Sequence, residues 1–159
     1  MSRAVSAQGD FPLDALPGHY IRRLQQIAVA LFLEETAEFG ITPVQFAALQ
    51  AVDTQPGLDQ RSLARSIGYD TSTIGGVVDR LEKRGLLQRQ ASPTDRRVRQ
   101  LTLTEEGRRV HTLILAPMQR AQHRMLAPLP PEERAAFMGM LMALVQGNND
   151  VARAPGELG

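Results

Sequence analysis

The residues of this sequence that could do chemistry are mostly cationic, and they concentrate between positions 60 and 109. That segment carries eleven arginine or lysine residues against six acids, a formal charge of +5, whereas the two flanks together carry −4. A basic middle between acidic ends favours a segment that binds a polyanion, carried by segments that do not. A well-solvated charged surface is the alternative that charge alone leaves open.

Two groups within the basic segment have the residue types of a nucleic-acid reader. Small hydroxyl residues, Thr71, Ser72 and Thr73, stand at the predicted start of a helix, where they could reach phosphates or base edges. Arg96 and Arg97 stand together in a polar, proline-containing turn, and a narrow minor groove attracts such arginines. We predict both groups, with Asp70 and Asp95 beside them, to be at the DNA interface.

Other residues of the segment have expected roles in the same interface. Phosphate contacts, which position a protein without reading sequence, are expected from Arg61, Arg65 and Arg89. Thr73 and the aliphatic Ile74 could meet a thymine methyl group. Arg80 is a further predicted DNA-binding residue. For each arginine taken alone, a solvated role remains the alternative.

The sequence offers no site for enzymatic chemistry, so we predict that the protein is not an enzyme. The absence of cysteine excludes a disulfide framework, a thiolate zinc site and a cysteine nucleophile. No Gly-rich phosphate loop, nucleophile elbow or HExxH motif occurs. His111 and His123 lie about 18 Å apart along one predicted helix, so a metal site would need His19 or another subunit. We predict no cofactor and no metal, with a metal-responsive regulator as an open alternative.

The composition predicts one globular domain in the cytoplasm. The chain has 159 residues, of which 43% are hydrophobic and 22% charged. No apolar run reaches the length of about 18 residues that spans a bilayer. Residues 1–10 lack the apolar core of a signal peptide. We therefore expect no membrane partner.

Start and stop residues predict the helices that carry the basic segment. A long helix over 19–39 ends at Gly40, and Thr42 with Gln45 forms a capping box for a helix over 43–54. Short helices over 60–67 and 71–84 follow the capping residues Asp59 and Asp70, and the turn between them contains Gly68. This pair is a helix-turn-helix candidate.

A hairpin and two outer helices complete the predicted fold. Strands over 86–90 and 98–103 flank a basic turn at Pro93, and Thr104 caps a second long helix. The last helix, 132–146, spreads its apolar residues over about 200°, wider than the stripe of about 100° that one core needs. The excess predicts a second copy of the chain as partner. We predict a mainly α (α+β) fold, a winged helix-turn-helix with long N- and C-terminal dimerisation helices and a small β-hairpin wing.

Four stretches together resemble the MarR family of bacterial transcription regulators. They are LARSIG at 63–68, VVDRLEKRGLL at 77–87, SPTDRR at 92–97 and LTLTEEG at 101–107. The resemblance implies a homodimer that binds palindromic operators in double-stranded DNA, usually as a repressor released by a small ligand. It also implies that Arg97 enters the minor groove and that Asp95 orients it by a salt bridge.

The resemblance divides the chain into regions. Residues 11–40 and 104–147 form the dimerisation region, 41–103 the DNA-binding lobe, and 1–10 and 148–159 flexible tails. A departure from the family occurs at Gly75 and Gly76, where relatives often carry a larger polar or basic residue. Two glycines inside a helix cost about 1 kcal/mol each relative to alanine, so we expect them to permit a close approach to DNA or to a neighbouring helix. Specificity would then depend on residues 71–73 and the wing.

The family resemblance also implies a pocket for a small, often aromatic, anion. The start of the first helix offers four candidate ligand-binding residues, His19, Tyr20, Arg22 and Arg23. An arginine can hold a carboxylate by two hydrogen bonds, and His and Tyr can bond a ring substituent. We predict an aromatic or heteroaromatic carboxylate as effector. The alternatives are that these residues pack a dimer interface, or that the protein is an architectural DNA binder without a ligand response.

Overall fold

Six α-helices and one antiparallel β-hairpin make up the part of the chain that the structure, a computed structural model, describes, residues 12–151. In chain order the elements are α1 (Pro17–Glu35), α2 (Pro43–Thr54), α3 (Gln60–Ile67), α4 (Thr71–Lys83), β1 (Leu87–Ala91), β2 (Arg99–Leu103), α5 (Glu105–Leu126) and α6 (Pro131–Gly147). The predicted winged helix-turn-helix is confirmed. The tail predicted over 1–10 lies outside the described residues, as does most of the tail predicted over 148–159.

The helix starts follow the capping residues read from the sequence. Thr42 Oγ1 accepts the Gln45 N–H at 3.3 Å, and Gln45 Oε1 accepts the Thr42 N–H at 3.0 Å. Asp59 and Asp70 accept backbone N–H groups of the first turns of α3 and α4 at 2.7 and 2.8 Å. Thr104 does the same for α5 at 2.9 Å. Each cap satisfies a backbone donor that the helix itself leaves unpaired.

The first helix is shorter than predicted. It ends at Glu35, and a turn of 3-10 helix, Ala37–Phe39, precedes Gly40, whose φ is +59°. The buried Thr36 hydroxyl donates to the Phe32 carbonyl oxygen at 2.7 Å. A hydroxyl that donates to a carbonyl of the last turn competes with the backbone hydrogen bonds of the helix. The helix therefore ends at Glu35, although apolar residues continue to Phe39.

The hairpin pairs β1 with β2 in register from Leu87 opposite Leu103 to Ala91 opposite Arg99. A short piece of the α2–α3 connection joins it, because the Leu101 N–H donates to the Leu58 carbonyl at 2.7 Å. The hairpin is thereby fastened to the helix-turn-helix on one side.

The apolar core lies mainly within the helix-turn-helix and the hairpin, and α5 reaches into it. Its fully buried large side chains include Ile41, Leu49, Leu63, Ile74, Leu81, Leu87, Leu101 and Ile114. In contrast, α6 has no buried residue in the single chain. Met140, Leu144 and Val145 of α6 are 63%, 57% and 63% exposed.

The helices α1 and α5 are held together by ion pairs at one end. Glu35 accepts hydrogen bonds from Arg120 Nε and Arg124 Nη1, both at 2.8 Å. The Arg120 and Arg124 guanidinium groups lower the pKa of the Glu35 carboxyl. The helices α1 and α5 therefore pack side by side although they are distant in the sequence.

Candidate nucleic-acid interface

The helix α4 buries one side and presents the other to solvent. Its buried residues are Ile74, Val77, Val78 and Leu81. At about 100° per residue, the opposite side carries Ser72, Gly76, Asp79 and Lys83 within about 60° of one another. The predicted readers in the first turn, Thr71, Ser72 and Thr73, are exposed. A helix held in this way can enter a major groove with its N-terminal half leading.

Two details of the predicted reading surface differ from expectation. Ile74 has 0% exposure and packs in the core, so it cannot meet a thymine methyl group. The Thr73 hydroxyl donates to Asp70 Oδ2 at 2.6 Å, while Asp70 Oδ1 accepts the Thr73 N–H. These hydrogen bonds lower the pKa of Asp70. Asp70 is therefore an ionised cap that positions the first turn. The Thr73 hydroxyl has used its proton, so Thr73 can offer DNA only an accepting oxygen and a methyl group.

Arg89, expected to contact a phosphate, is engaged inside the lobe instead. Its Nη2 lies 2.7 Å from Asp79 Oδ1 and 3.2 Å from Gln60 Oε1, and its Nη1 lies 2.7 Å from Glu82 Oε2. Burial alone would lower the pKa of Arg89, but the two carboxylates raise it. Arg89 thus joins β1 to α4 and α3 and neutralises two acids that α4 exposes toward solvent.

We expect Arg89→Ala to weaken DNA binding about tenfold at low ionic strength, because it leaves Asp79 and Glu82 unpaired near the phosphates. In a background with Asp79→Asn and Glu82→Gln, the same change should have little effect. Titration of each variant with one labelled duplex measures both effects. A tenfold loss in both backgrounds would instead indicate that Arg89 contacts a phosphate directly.

The wing turn is ordered by its own polar residues. Ser92 is buried and donates its N–H to the Val98 carbonyl at 2.9 Å, and Asp95 Oδ1 accepts the Arg97 N–H at 3.0 Å. The resemblance implied a salt bridge between the side chains of Asp95 and Arg97. In this structure the Asp95 carboxylate instead accepts the backbone N–H of Arg97, as aspartates in turns commonly do with the residue two positions ahead. Arg96 and Arg97 are exposed at the tip.

The remaining predicted DNA contacts are exposed on the helix-turn-helix. Arg61 and Arg65 lie four residues apart on α3, so they share one side of that helix. Arg80 is exposed on α4. These positions are compatible with contacts to a duplex.

Sequence reasoning missed Arg84, which follows α4. Its guanidinium donates to the carbonyl oxygens of Phe39 and Gly40, both at 2.8 Å. The contact fixes the end of α4 against the turn between α1 and α2. Its only sequence signal was a cation beside Gly85, and the partners lie more than 40 positions away.

The histidines do not form a metal site in the described part of the chain. His111 is 5% exposed, its Nε2 lies 2.8 Å from Gln50 Oε1, and its ring stacks on Phe46. Within residues 12–151 no three His, Asp or Glu side chains converge in a way that could hold a metal ion. His111 is therefore a core residue that joins α5 to α2.

An apolar groove of about 370 Å³ lies between α1, α5 and α6. Its lining includes Ile21, Leu24, Ala28, Val29, Met125 and Leu141. None of the four predicted ligand-binding residues is part of this lining. Instead Arg22 Nη2 lies 3.3 Å from His19 Nδ1, and the rings of His19 and Tyr20 meet edge to face. Arg23 is exposed.

None of the helices in the described range combines the length and the apolar character that crossing a membrane requires.

Comparison with known proteins places these features in one family. Residues 41–98 match the model of the MarR family. A candidate transcriptional regulatory protein for the hcr operon of Thauera aromatica is 34% identical over 134 residues, which cover 84% of this chain and 81% of that protein.

Two solved structures extend the likeness to nearly the whole chain. The PcaV transcriptional regulator of Streptomyces coelicolor, in complex with its natural ligand, is 39% identical with a TM-score of 0.80 over 87% of this chain and 98% of its own. BpsR of Bordetella bronchiseptica, whose DNA binding is regulated by 6-hydroxynicotinic acid, is 29% identical with a TM-score of 0.80 over 86% of this chain and 97% of its own.

Proposed function

The chain belongs to the MarR family of transcriptional regulators, and from this premise we propose that it is a homodimeric, sequence-specific repressor released by a small aromatic carboxylate. The DNA-binding part of this proposal rests on the positions of α4 and the wing. The helix has its apolar side in the core and its hydroxyl-bearing first turn in solvent, while the wing ends on two exposed arginines. This arrangement suits a major groove and an adjacent minor groove.

The homodimer is supported by the exposed apolar surface of the outer helices. On α6, Met138, Met140, Met142, Leu144 and Val145 are between 44% and 63% exposed. Ile21 and Ile27 of α1 are 57% and 46% exposed. A two-fold symmetric pair that buries these surfaces presents two α4 helices and two wings, which matches a palindromic operator.

Binding to DNA upstream of the protein's own gene, in competition with random duplex, tests specificity. A specific regulator should prefer its site by about 10³-fold or more. Equal binding to both would instead indicate the architectural DNA-binding protein.

Arg97→Ala should weaken specific binding about 10-fold to 100-fold, because the wing then loses the cation that we propose enters the minor groove. Arg109→Ala is the matched control, since Arg109 is an exposed arginine of α5 paired with Glu106 at 2.6 Å. It removes the same charge and should change the affinity less than about threefold. Mobility-shift titrations at fixed salt measure both. Equal affinities for wild type and Arg97→Ala would contradict the minor-groove role.

A carboxylate effector is supported by the groove and by the position of Arg22. At about 100° per residue, Arg22 falls beside Gln25 and Val29 on the surface of α1, and both line the groove. An aromatic ring in the apolar groove would leave its carboxylate near this guanidinium. Regulation of BpsR by 6-hydroxynicotinic acid supports the same ligand chemistry. Arg23 lies farther round the helix.

Thermal melting with a panel of aromatic and heteroaromatic acids, 6-hydroxynicotinic acid included, tests this effector class. An acid at about 100 times its Kd should stabilise the fold by about 2.7 kcal/mol, and the matching uncharged amide should not. The stabilisation should disappear in Arg22→Ala and persist in Arg23→Ala. If no acid raises the Tm of the wild type, the carboxylate proposal is wrong.

A further inference from the structure

We propose that Arg80 reads a guanine in the major groove and that Gly76 leaves the space in which its guanidinium lies. The inference rests on the proposed function, because it assigns one base contact of the same DNA-binding surface. It also gives a reason why position 76, in the middle of the reading helix, carries no long side chain.

Packing within the protein does not explain Gly76. The position lies opposite the buried side of α4, which Ile74 and Val78 define. A Cβ atom built at Gly76 would have the Arg80 Nη2 atom as its nearest neighbour, at the ordinary contact distance of 3.9 Å. Gly75 differs, because a Cβ there would approach Gln60 Nε2 of α3 to 3.1 Å. A side chain of the neighbouring helix thus adjoins Gly75, whereas only the Arg80 side chain adjoins the open space at Gly76.

The direction of the Arg80 side chain brings its charge to the leading half of α4. Long side chains on a helix lean toward its N-terminus. Four residues correspond to about 6 Å along the axis, so a guanidinium beside Gly76 lies about one turn nearer the N-terminus than its own backbone. That half of a reading helix enters the major groove. The arginine therefore occupies the place that a side chain at position 76 would otherwise fill.

The acids near Arg80 are already paired. Asp79 and Glu82 each lie 2.7 Å from Arg89. Across residues 12–151, the Arg80 guanidinium itself has no hydrogen-bond or ion-pair partner. Its donors are thus available to an external acceptor.

Guanine is the base whose acceptors match this group. Its O6 and N7 atoms accept two hydrogen bonds from one arginine, the commonest specific contact in the major groove. A phosphate would also accept the arginine, but a phosphate contact carries no sequence information. Arg80→Ala therefore separates the two roles, because losing a base contact removes the preference at one position, whereas losing a phosphate contact weakens all duplexes alike.

Selection from a random duplex library by the wild type defines the preferred site. Wild type, Arg80→Lys and Arg80→Ala are then titrated with that duplex and with every single base-pair change in one half-site. We expect the wild type to prefer G·C at one position by about 10-fold to 100-fold. Arg80→Ala should lose that preference, and Arg80→Lys should keep part of it, because an ammonium can also bond O6 and N7. Both variants should keep the preferences at the other positions. Circular dichroism should show unchanged folding, since Arg80 is exposed.

The outcomes are distinguishable from failure of the proposed function. If the wild type selects no sequence, the proposal of a specific regulator fails. If the wild type selects a site and Arg80→Ala keeps every base preference, Arg80 is not a base reader. Uniform weakening of all duplexes by Arg80→Ala, with preferences intact, would likewise assign the residue to a phosphate.

Discussion

Gly107→Ala should destabilise the protein by about 3 kcal/mol or more, although alanine is ordinarily the better residue inside a helix. A Cβ atom at Gly107 would lie 2.0 Å from the carbonyl oxygen of Leu86 and 2.9 Å from its carbonyl carbon. Both are backbone atoms, so no side-chain rotation relieves the clash. The glycine is what allows α5 to begin directly against the start of the hairpin.

The surrounding hydrogen bonds prevent an easy shift of this junction. The Leu86 carbonyl accepts the Thr104 N–H at 3.1 Å, and the Thr104 hydroxyl donates to the Gly85 carbonyl at 2.6 Å. Leu86 itself is 2% exposed and donates its N–H to Leu81 at 2.9 Å. Moving Leu86 away from a new methyl group would break these bonds or displace a core residue.

The matched control is Gly76→Ala, in which the new Cβ meets only Arg80 Nη2 at 3.9 Å. This variant should gain up to about 1 kcal/mol, because helix propensity then acts without a clash. Urea unfolding at fixed protein concentration measures both variants. Equal stability of Gly107→Ala and wild type would contradict the close packing of α5 on Leu86.

Two charges on α6 should separate the proposed dimer and remove most of its affinity for DNA. Met140 and Leu144 are 63% and 57% exposed in the single chain and lie one turn apart, on one side of the helix. Met140→Glu combined with Leu144→Glu would place four carboxylates in a two-fold symmetric interface. Because a monomer can hold only one half-site, specific affinity should fall at least about 100-fold.

The control keeps the same positions apolar by exchanging them, Met140→Leu with Leu144→Met. It should leave both the mass in solution and the affinity unchanged. Circular dichroism should be the same for all three proteins, since α6 buries no residue within its own chain. Persistence of the dimer in the doubly charged variant would exclude this face of α6 from the interface.

The sequence was sufficient for features that depend on neighbours a few residues apart. Thr42, Asp59, Asp70 and Thr104 cap helices as predicted, because each side chain meets a backbone group three residues ahead. The order of caps, glycine stops and hairpin was enough to predict the winged helix-turn-helix.

Partners distant in the chain could not be predicted in the same way. Arg89 looked like a phosphate contact, but Asp79 and Glu82 of α4 hold it. Ile74 follows the exposed hydroxyl residues in the sequence, but its side chain is buried in the core because it lies on the inner side of α4. The type of a residue gives its charge or its apolar area, whereas the packing of the helices determines which partner its side chain contacts.

The ligand-binding residues show the same limit. The cluster at the start of α1 has the residue types of an anion site, but the groove is lined by Ile21, Leu24 and other, mostly apolar, residues. Helical geometry places Arg22 at its edge and the other three farther round. The effector therefore stays a prediction until binding is measured.

In the proposed assembly, two copies joined through α1, α5 and α6 place their α4 helices and wings on one duplex. Light scattering after size-exclusion chromatography, with and without the duplex selected by the wild type, measures the number of chains in the free protein and in the complex. We predict a free protein of twice the 17.5 kDa of one chain, and a complex that contains two chains for each duplex. A free protein of one chain at micromolar concentration, or a saturated complex with one chain on each duplex, would rule out this assembly.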